Sequence, residues 1–151
     1  MKRLLLLLSW SIPLFGVSQA TTFDDLKLII AKEAIIVTEQ ENMVHYKVGE
    51  LAIYLIADED ANRMRLMSPI IEDSKLEESD LKLLMEANFD RALDAKYAIS
   101  DGVLWSVYAH PLKELYKDQV IDALIQVRSL VYNYGTTYSS TTMVFGGDDG
   151  N

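Results

Sequence analysis

Hydrophobic positions in the first half of the chain recur with the two-residue period of β-strands. The segments MVHYKV (43–48) and RMRLM (63–67) alternate in this way, which predicts strands with one buried face. LAIYLIA (51–57) is apolar at every position and predicts a central strand, and the short apolar run AIIV (34–37) predicts another. The expected turns and strand ends are Gly49-Glu50, the polar segment DEDAN (58–62) and Ser68-Pro69.

Three other segments have the period of helices, and each is marked by a capping residue. Thr22 is expected to cap the first helix, and Ser74 with Glu77 forms a predicted capping box for the second. The third helix is predicted over 118–134, with Gly135 as its C-terminal cap. The expected core faces are Phe23, Leu26, Ile29 and Ile30; Leu81, Leu84, Met85 and Phe89; and Val120, Leu124, Val127, Val131 and Tyr134.

Asp101-Gly102 predicts a tight hairpin between AKYAIS and VLWSVYAH. A two-residue loop pairs Ser100 with Val103 and Ala98 with Trp105, and cross-strand partners share a face. One face then carries Tyr97, Ile99, Leu104 and Tyr108, and the other carries Lys96, Ala98, Ser100, Val103, Trp105 and Val107. The first face is expected to be covered by helices and to form part of the core. The second is interpreted as a partner or dimer face formed by Ala98, Val103, Trp105 and Val107, unless both faces are buried or a bulge shifts the register.

The elements follow the order α-βββ(β)-α-ββ-α. Helices mixed with antiparallel strands predict an α+β fold, with helices packed on an antiparallel sheet. One domain is expected over residues 21–135, followed by a Ser/Thr/Gly-rich C-terminal tail over 136–151.

The N-terminal segment has the three regions of a secretory signal peptide. Lys2 and Arg3 precede an apolar run over 4–17, and Ser18-Gln19-Ala20 supplies small residues at the cleavage site. The run is shorter than the ~20 residues of a membrane span. We therefore expect cleavage between Ala20 and Thr21, a periplasmic or secreted protein, and no stable membrane insertion after cleavage. The chain has no cysteine, so no disulfide can form.

The charge and the polar residues exclude several classes of function. A formal net charge of −9 disfavours a nucleic-acid partner. His110 could act as a base with Ser139 or Ser140, but the sequence has no nucleophile elbow, so a structural histidine is the better interpretation. His45 and the acidic segments DEDAN and GGDDGN do not have the spacing of metal ligands. The paired carboxylates Glu77-Glu78 and Asp148-Asp149 are expected to lie on the surface or in the tail. We predict no catalytic residue, no metal and no cofactor.

Three stretches carry a resemblance to a known family: NFDRALDAKYAISDGVLWSVYAHPL, QVRSLVYNYGTTYSS and FGG. Over about residues 22–146 the chain resembles bacterial proteins of the type III secretion chaperone-like fold, including relatives of the YbjN group. The resemblance implies a non-enzymatic, usually dimeric, protein-binding module. The secretion chaperones of this fold are cytoplasmic, so the export signal departs from the family pattern and weighs against delivery of secretion effectors.

The sequence thus favours an exported, non-catalytic protein-binding module that forms a homodimer and binds a protein or peptide segment. Two alternatives remain open at this point. One is a structural or regulatory envelope protein that mainly self-associates, and the other is a hydrolase that uses His110.

The first prediction concerns the N-terminus. Protein recovered from cells should begin at Thr21, because the charged, apolar and small-residue regions before it form one export signal. Intact-mass spectrometry measures this directly. A soluble cytoplasmic product that retains Met1 would contradict it.

Overall fold

The computed structural model describes residues 21–143 and shows three helices and six strands. The helices are α1 (Phe23–Ile30), α2 (Glu78–Asp90) and α3 (Lys117–Asn133). The strands are β1 (Ile35–Glu39), β2 (Met43–Val48), β3 (Leu51–Asp58), β4 (Arg63–Glu72), β5 (Lys96–Ser100) and β6 (Val103–His110). They form one antiparallel sheet in the order β1-β2-β3-β4-β6-β5. The proposed signal peptide and the GGDDGN end lie outside the described residues.

Helices α1 and α3 pack on one side of the sheet and form the core with it. Side chains that face them are fully buried, whereas alternate side chains on β2, β3 and β4 are partly buried or exposed. This is the pattern of an antiparallel sheet with one covered face. The largest fully buried apolar side chains are Leu26, Ile30, Tyr46, Ile53, Leu55, Met64, Leu66, Leu104, Leu112 and Leu130. The predicted α+β class and element order are confirmed, with four strands before α2.

The predicted caps of α1 and α3 and the predicted hairpin turn are present. Thr22 caps α1 in a capping box with Asp25, and the hydrogen bond from the Thr22 backbone N–H lowers the pKa of the Asp25 carboxyl. Asp101 and Gly102 both have positive φ, 52° and 76°, as a type I′ hairpin requires. The hairpin register is the predicted one, with Ala98 opposite Trp105. Gly135 follows α3 with φ 75°.

The prediction that Ser68-Pro69 ends a strand is wrong. Strand β4 continues to Glu72, and Pro69 pairs with Trp105 next to a register shift between Pro69 and Ile71. A proline donates no backbone hydrogen bond, but a bulge tolerates that loss, so the strand bends and continues.

The predicted start of α2 is also wrong. Ser74 lies in a short 3₁₀ helix, Asp73–Lys75, and α2 begins after Glu77, whose N–H donates to the Asp80 carboxylate at 2.9 Å. The expected core face of α2 holds only in part. Leu84 and Ala87 are buried, whereas Leu81, Met85 and Phe89 are exposed, because α2 lies beside β5 at the sheet edge and not over the sheet centre.

The apolar face of α3 is buried as its period predicts, with one polar exception. Val120, Leu124 and Val127 are buried, while Val131 and Tyr134 are partly buried. Gln126 is also fully buried, and its Oε1 accepts the N–H groups of Asp94 (2.9 Å) and Ala95 (3.0 Å) just before β5. This side chain joins α3 to the start of the edge strand.

Residues after α3 pack on the domain beyond position 135. Tyr138 and Ser140 are buried, and the hydroxyl of Ser140 accepts the Leu93 N–H at 2.7 Å. The Ser140 N–H donates to the Arg91 carbonyl at 3.2 Å. The segment after α3 therefore holds the connection between α2 and β5 in place.

Replacing the buried glutamine should destabilise the fold. Gln126→Leu keeps a similar volume but removes the acceptor of two backbone N–H groups, and each buried unpaired group costs about 1–3 kcal/mol. We expect the free energy of unfolding to fall by ~2 kcal/mol or more. Urea denaturation followed by circular dichroism measures it. Ile125→Ala, at an exposed position on the same helix, is the control. Equal losses for the two variants would contradict this role of Gln126.

Candidate partner-binding surfaces

The side of the sheet opposite α1 and α3 is open: within residues 21–143, no helix covers it. We call this surface the open sheet face. Its central row runs His45, Tyr54, Met67 and Val107, which pair in succession across β2, β3, β4 and β6. All four side chains are partly buried, because they cover one another. The result is a continuous row of apolar and aromatic side chains on the uncovered side of the sheet.

Aromatic rings on the open sheet face contact one another. The His45 and Tyr54 rings stack with centroids 4.6 Å apart, and the Tyr54 and Trp105 rings meet edge to face at 6.0 Å. The Trp105 indole N–H donates to the Ser100 carbonyl at 3.1 Å, which fixes the ring on the surface. His45 is thus part of an aromatic cluster. Such clusters of fixed, partly exposed rings are enriched where proteins bind each other.

The structure places all four residues of the predicted partner face on the open sheet face. Val103, Trp105 and Val107 alternate along β6, and Ala98 lies opposite Trp105 on β5. Their companion face is less well covered than predicted. Leu104 is buried, but Ile99 is 47% exposed, because the helices do not reach the end of β5.

A second exposed apolar surface lies on α2. Leu81, Met85 and Phe89 follow one another at four-residue intervals, and Phe89 is 84% exposed. We call these three residues the α2 stripe. Beside it, an apolar groove of about 170 Å³ separates α2 from β5 and is lined by Leu84, Tyr97, Ile99 and Leu104, among others. This surface was not predicted from the sequence, because Leu81, Met85 and Phe89 were expected to face the core with Leu84.

The third apolar region is the edge strand β1, which is protected against strand addition. All five of its residues are exposed, but its register shifts between Ile36 and Thr38. Lys27 bridges Asp24 at 2.7 Å and Glu39 of this strand at 2.6 Å, and these contacts raise the pKa of the lysine. A short, bulged edge strand with a charged end is a usual defence against edge-to-edge pairing.

The residues considered for catalysis have structural partners. The His110 ring Nδ1 lies 2.7 Å from the Pro111 carbonyl, and the His110 ring stacks near Tyr108. The Ser140 hydroxyl accepts the Leu93 N–H, and the Ser139 hydroxyl contacts the carbonyls of Arg91 and Thr141. These contacts do not join His110 to either serine.

The acidic segments have structural roles or lie on the surface. Asn62 in DEDAN accepts the Lys113 N–H at 2.8 Å, and Asp58 accepts the Ala61 N–H at 2.7 Å. Glu77 and Glu78 lie at the start of α2, exposed. In the described part of the chain, no group of three or more histidine or acidic side chains could hold a metal ion. No helix over 21–143 is long and apolar enough to cross a membrane.

Comparison with known proteins identifies the fold. No protein-family model and no curated protein sequence matches the chain. Among solved structures, a chain of the HopA1–SchA chaperone–effector complex aligns with a TM-score of 0.57 and 10% sequence identity, over 74% of this chain and 88% of that one. A chain of the ExsC–ExsE complex aligns with a TM-score of 0.52 and 13% identity, over 72% and 81%. The fold is that of type III secretion chaperone-like proteins, as the sequence resemblance implied.

Removal of the histidine ring should affect stability rather than chemistry. Because His110 bonds the adjacent Pro111 carbonyl, we expect His110→Ala to change the free energy of unfolding by about 1 kcal/mol. We expect no ester or peptide hydrolysis above background in either protein. A panel of chromogenic substrates, with thermal denaturation alongside, measures both quantities. Turnover by the wild type that disappears in His110→Ala would contradict the structural role.

Proposed function

We propose that this chain is an exported, non-catalytic protein-binding module of the chaperone type that acts as a homodimer. The observation that carries the proposal is the open sheet face, an aromatic and apolar surface left uncovered on one whole side of the sheet. The shared fold supports it, because one of the similar chains belongs to a chaperone–effector complex. The N-terminal signal pattern supports export to the periplasm or beyond.

The open sheet face offers a partner segment a platform that changes little on binding. Trp105 is held by its indole hydrogen bond, and Tyr54 is held between the rings of His45 and Trp105. Rings that are already ordered lose little conformational entropy on binding, so most of their burial contributes to affinity. An extended or helical segment of a partner would lie across Trp105, Tyr54, Met67 and Val107, with Ala98 and Val103 at the margin.

The α2 stripe supports the homodimer. Its residues are spaced symmetrically about Met85, so a second α2 packed antiparallel would place Leu81 of each copy against Phe89 of the other. Such an isologous contact uses the same patch on both subunits. Dimerisation through α2 leaves the open sheet face free for partners.

The alternative function is a structural or regulatory envelope protein whose main activity is self-association. The α2 stripe favours it too, since a dimer surface needs no further partner. The two functions differ in what the open sheet face does, and a comparison of variants on the two surfaces separates them.

The test compares Phe89→Ala with Trp105→Ala. Truncating Phe89 should raise the dimer dissociation constant more than tenfold, because loss of an aromatic anchor costs ~2 kcal/mol or more at an interface core. Trp105→Ala should leave that constant within about threefold but abolish capture of specific proteins from a periplasmic extract. Sedimentation across concentration measures the first quantity, and quantitative pull-down measures the second.

Leu104→Ala controls for folding. Leu104 is buried, so its truncation should lower the free energy of unfolding by about 2–5 kcal/mol, more than either surface variant. A strict monomer, or capture that survives Trp105→Ala, would contradict the proposed function. Dimerisation without any Trp105-dependent partner would favour the envelope protein.

A further inference from the structure

Charge on the open sheet face is distributed differently from charge on the whole chain. The chain has 23 acidic and 14 basic residues. On this face, however, strand alternation places Lys47, Arg65 and Lys96 among the apolar residues, with Arg63 at the start of β4. The acidic residues of the face, Asp58 and Glu72, lie at strand ends.

These two acids are already engaged. Asp58 accepts the Ala61 N–H in its turn, and the Glu72 carboxylate lies 3.2 Å from the Lys75 ammonium. Asp58 is the cross-strand neighbour of Arg63 but forms an ion pair with neither Arg63 nor Arg65 within residues 21–143, so two guanidinium groups lie beside this single carboxylate. The positive charge of the central part of the face is left for another molecule to compensate.

The cations differ in how free they are. The Lys96 side chain bends around the edge of β5, and its ammonium donates to the carbonyls of Asn88 and Ala92. This charge is therefore held at the C-terminal end of α2. Lys47 lies 3.3 Å from Glu50, a carboxylate that is itself 93% exposed. Arg65 is exposed and takes part in none of the ion pairs formed within residues 21–143.

Arg65 lies at a defined distance from Trp105. It is four residues before Pro69 on β4, and Pro69 pairs with Trp105. At ~3.3 Å per residue, the two positions are about 13 Å apart along the strand. Met67 lies between them and pairs with Tyr54. Along β4, the position beside Trp105 is therefore followed by the apolar Met67 and then by the cationic Arg65.

We infer that the open sheet face binds an extended partner segment in which a carboxylate follows an apolar residue by four positions. The inference rests on the proposed function and specifies the partner of the same face. In an extended segment, residues i, i+2 and i+4 point to one side with the spacing of β4. An apolar residue i would contact Trp105, residue i+2 would contact Met67 and Tyr54, and an aspartate or glutamate at i+4 would pair with Arg65. A carboxylate and a guanidinium form two parallel hydrogen bonds, which selects this charge and position.

Charge also argues against a second copy on this face. Two open sheet faces packed together would bring like cations into one desolvated layer, and the acids at the strand ends are engaged within their own chain. An acidic segment instead supplies the missing charge. Its long-range repulsion by the net charge of −9 is screened beyond about 8 Å at physiological salt, whereas contact with Arg65 is not.

The test uses the fluorescence of Trp105 as a local reporter. The chain has two tryptophans, and Trp10 lies in the proposed signal peptide, so protein carrying Trp10→Phe reports Trp105 alone whether or not that segment is removed. The probe is a labelled peptide of about 15 residues with period-two alternation, phenylalanine at i and glutamate at i+4. Matched peptides carry lysine in place of glutamate, or the same residues in scrambled order. We expect the glutamate peptide to shift Trp105 emission and to bind at least tenfold more tightly than either matched peptide.

Charge-reversal variants then locate the contact. Arg65→Glu should weaken binding of the glutamate peptide at least tenfold and strengthen binding of the lysine peptide. Lys117→Glu makes the same kind of charge reversal at an exposed position at the start of α3, so it should change either affinity by less than about twofold. Phe89→Ala, on the α2 stripe, should leave peptide binding unchanged.

Several outcomes would overturn the inference. Equal affinity for glutamate and lysine peptides, or equal effects of Arg65→Glu and Lys117→Glu, would show that Arg65 does not select a carboxylate. The proposed protein-binding function would then still stand. Stronger binding of oligothymidine, with displacement of the peptide, would assign the face to nucleic acid. Equally tight binding of the peptide MVFGGDDGN would assign it to this chain's own end. If no peptide shifts Trp105 emission while Trp105-dependent capture of a protein persists, the inferred sequence of the partner segment is wrong, but the protein-binding function stands.

Discussion

The helices α1 and α3 lie on the same side of the sheet, and this constraint decides what the rest of the molecule can do. Two-residue alternation along the strands gives each one two faces. On the helix side, the alternate residues of β2, β3 and β4 are buried almost completely. The other residues of the same strands must form a surface, and in this chain that surface is apolar and aromatic. The core and the candidate binding site are therefore opposite faces of the same six strands.

Polar contacts, more than apolar packing, fix the position of α2 at the sheet edge. The Asn88 side chain accepts the Tyr97 N–H at 2.8 Å and donates to the Tyr97 carbonyl at 2.9 Å. It thus satisfies backbone groups that β5 would otherwise present as a free edge. Lys96 adds hydrogen bonds to the last carbonyls of α2. Because these bonds hold the helix, only Leu84 and Ala87 need to enter the core, and the α2 stripe stays outside.

Local patterns predicted most features that depend on neighbouring residues alone, although the capping box predicted at Ser74 is absent. The Asp101-Gly102 turn fixes the hairpin register because both residues adopt positive φ, and the register in turn places Trp105 on the open sheet face. Features that depend on distant contacts were not predictable in this way. Pro69 stays in a strand because a bulge against β6 tolerates it, and β6 is about 35 positions later in the chain. Likewise, the periodicity of α2 shows an apolar face but not which part of it another element covers.

The net charge of the chain and the positions of individual charges affect partner binding in different ways. The net charge describes how the molecule behaves at a distance, where an acidic partner is repelled and its association rate falls. At contact, the side chains on the open sheet face decide the outcome, and the exposed guanidinium nearest Met67 is that of Arg65. A carboxylate bound against Arg65 beside Met67 is partly removed from water, so their attraction is screened less than on an open surface. Partner selection by this face would therefore lie mainly in the dissociation rate, which depends on where each charge sits on the face and not on the sum of the charges.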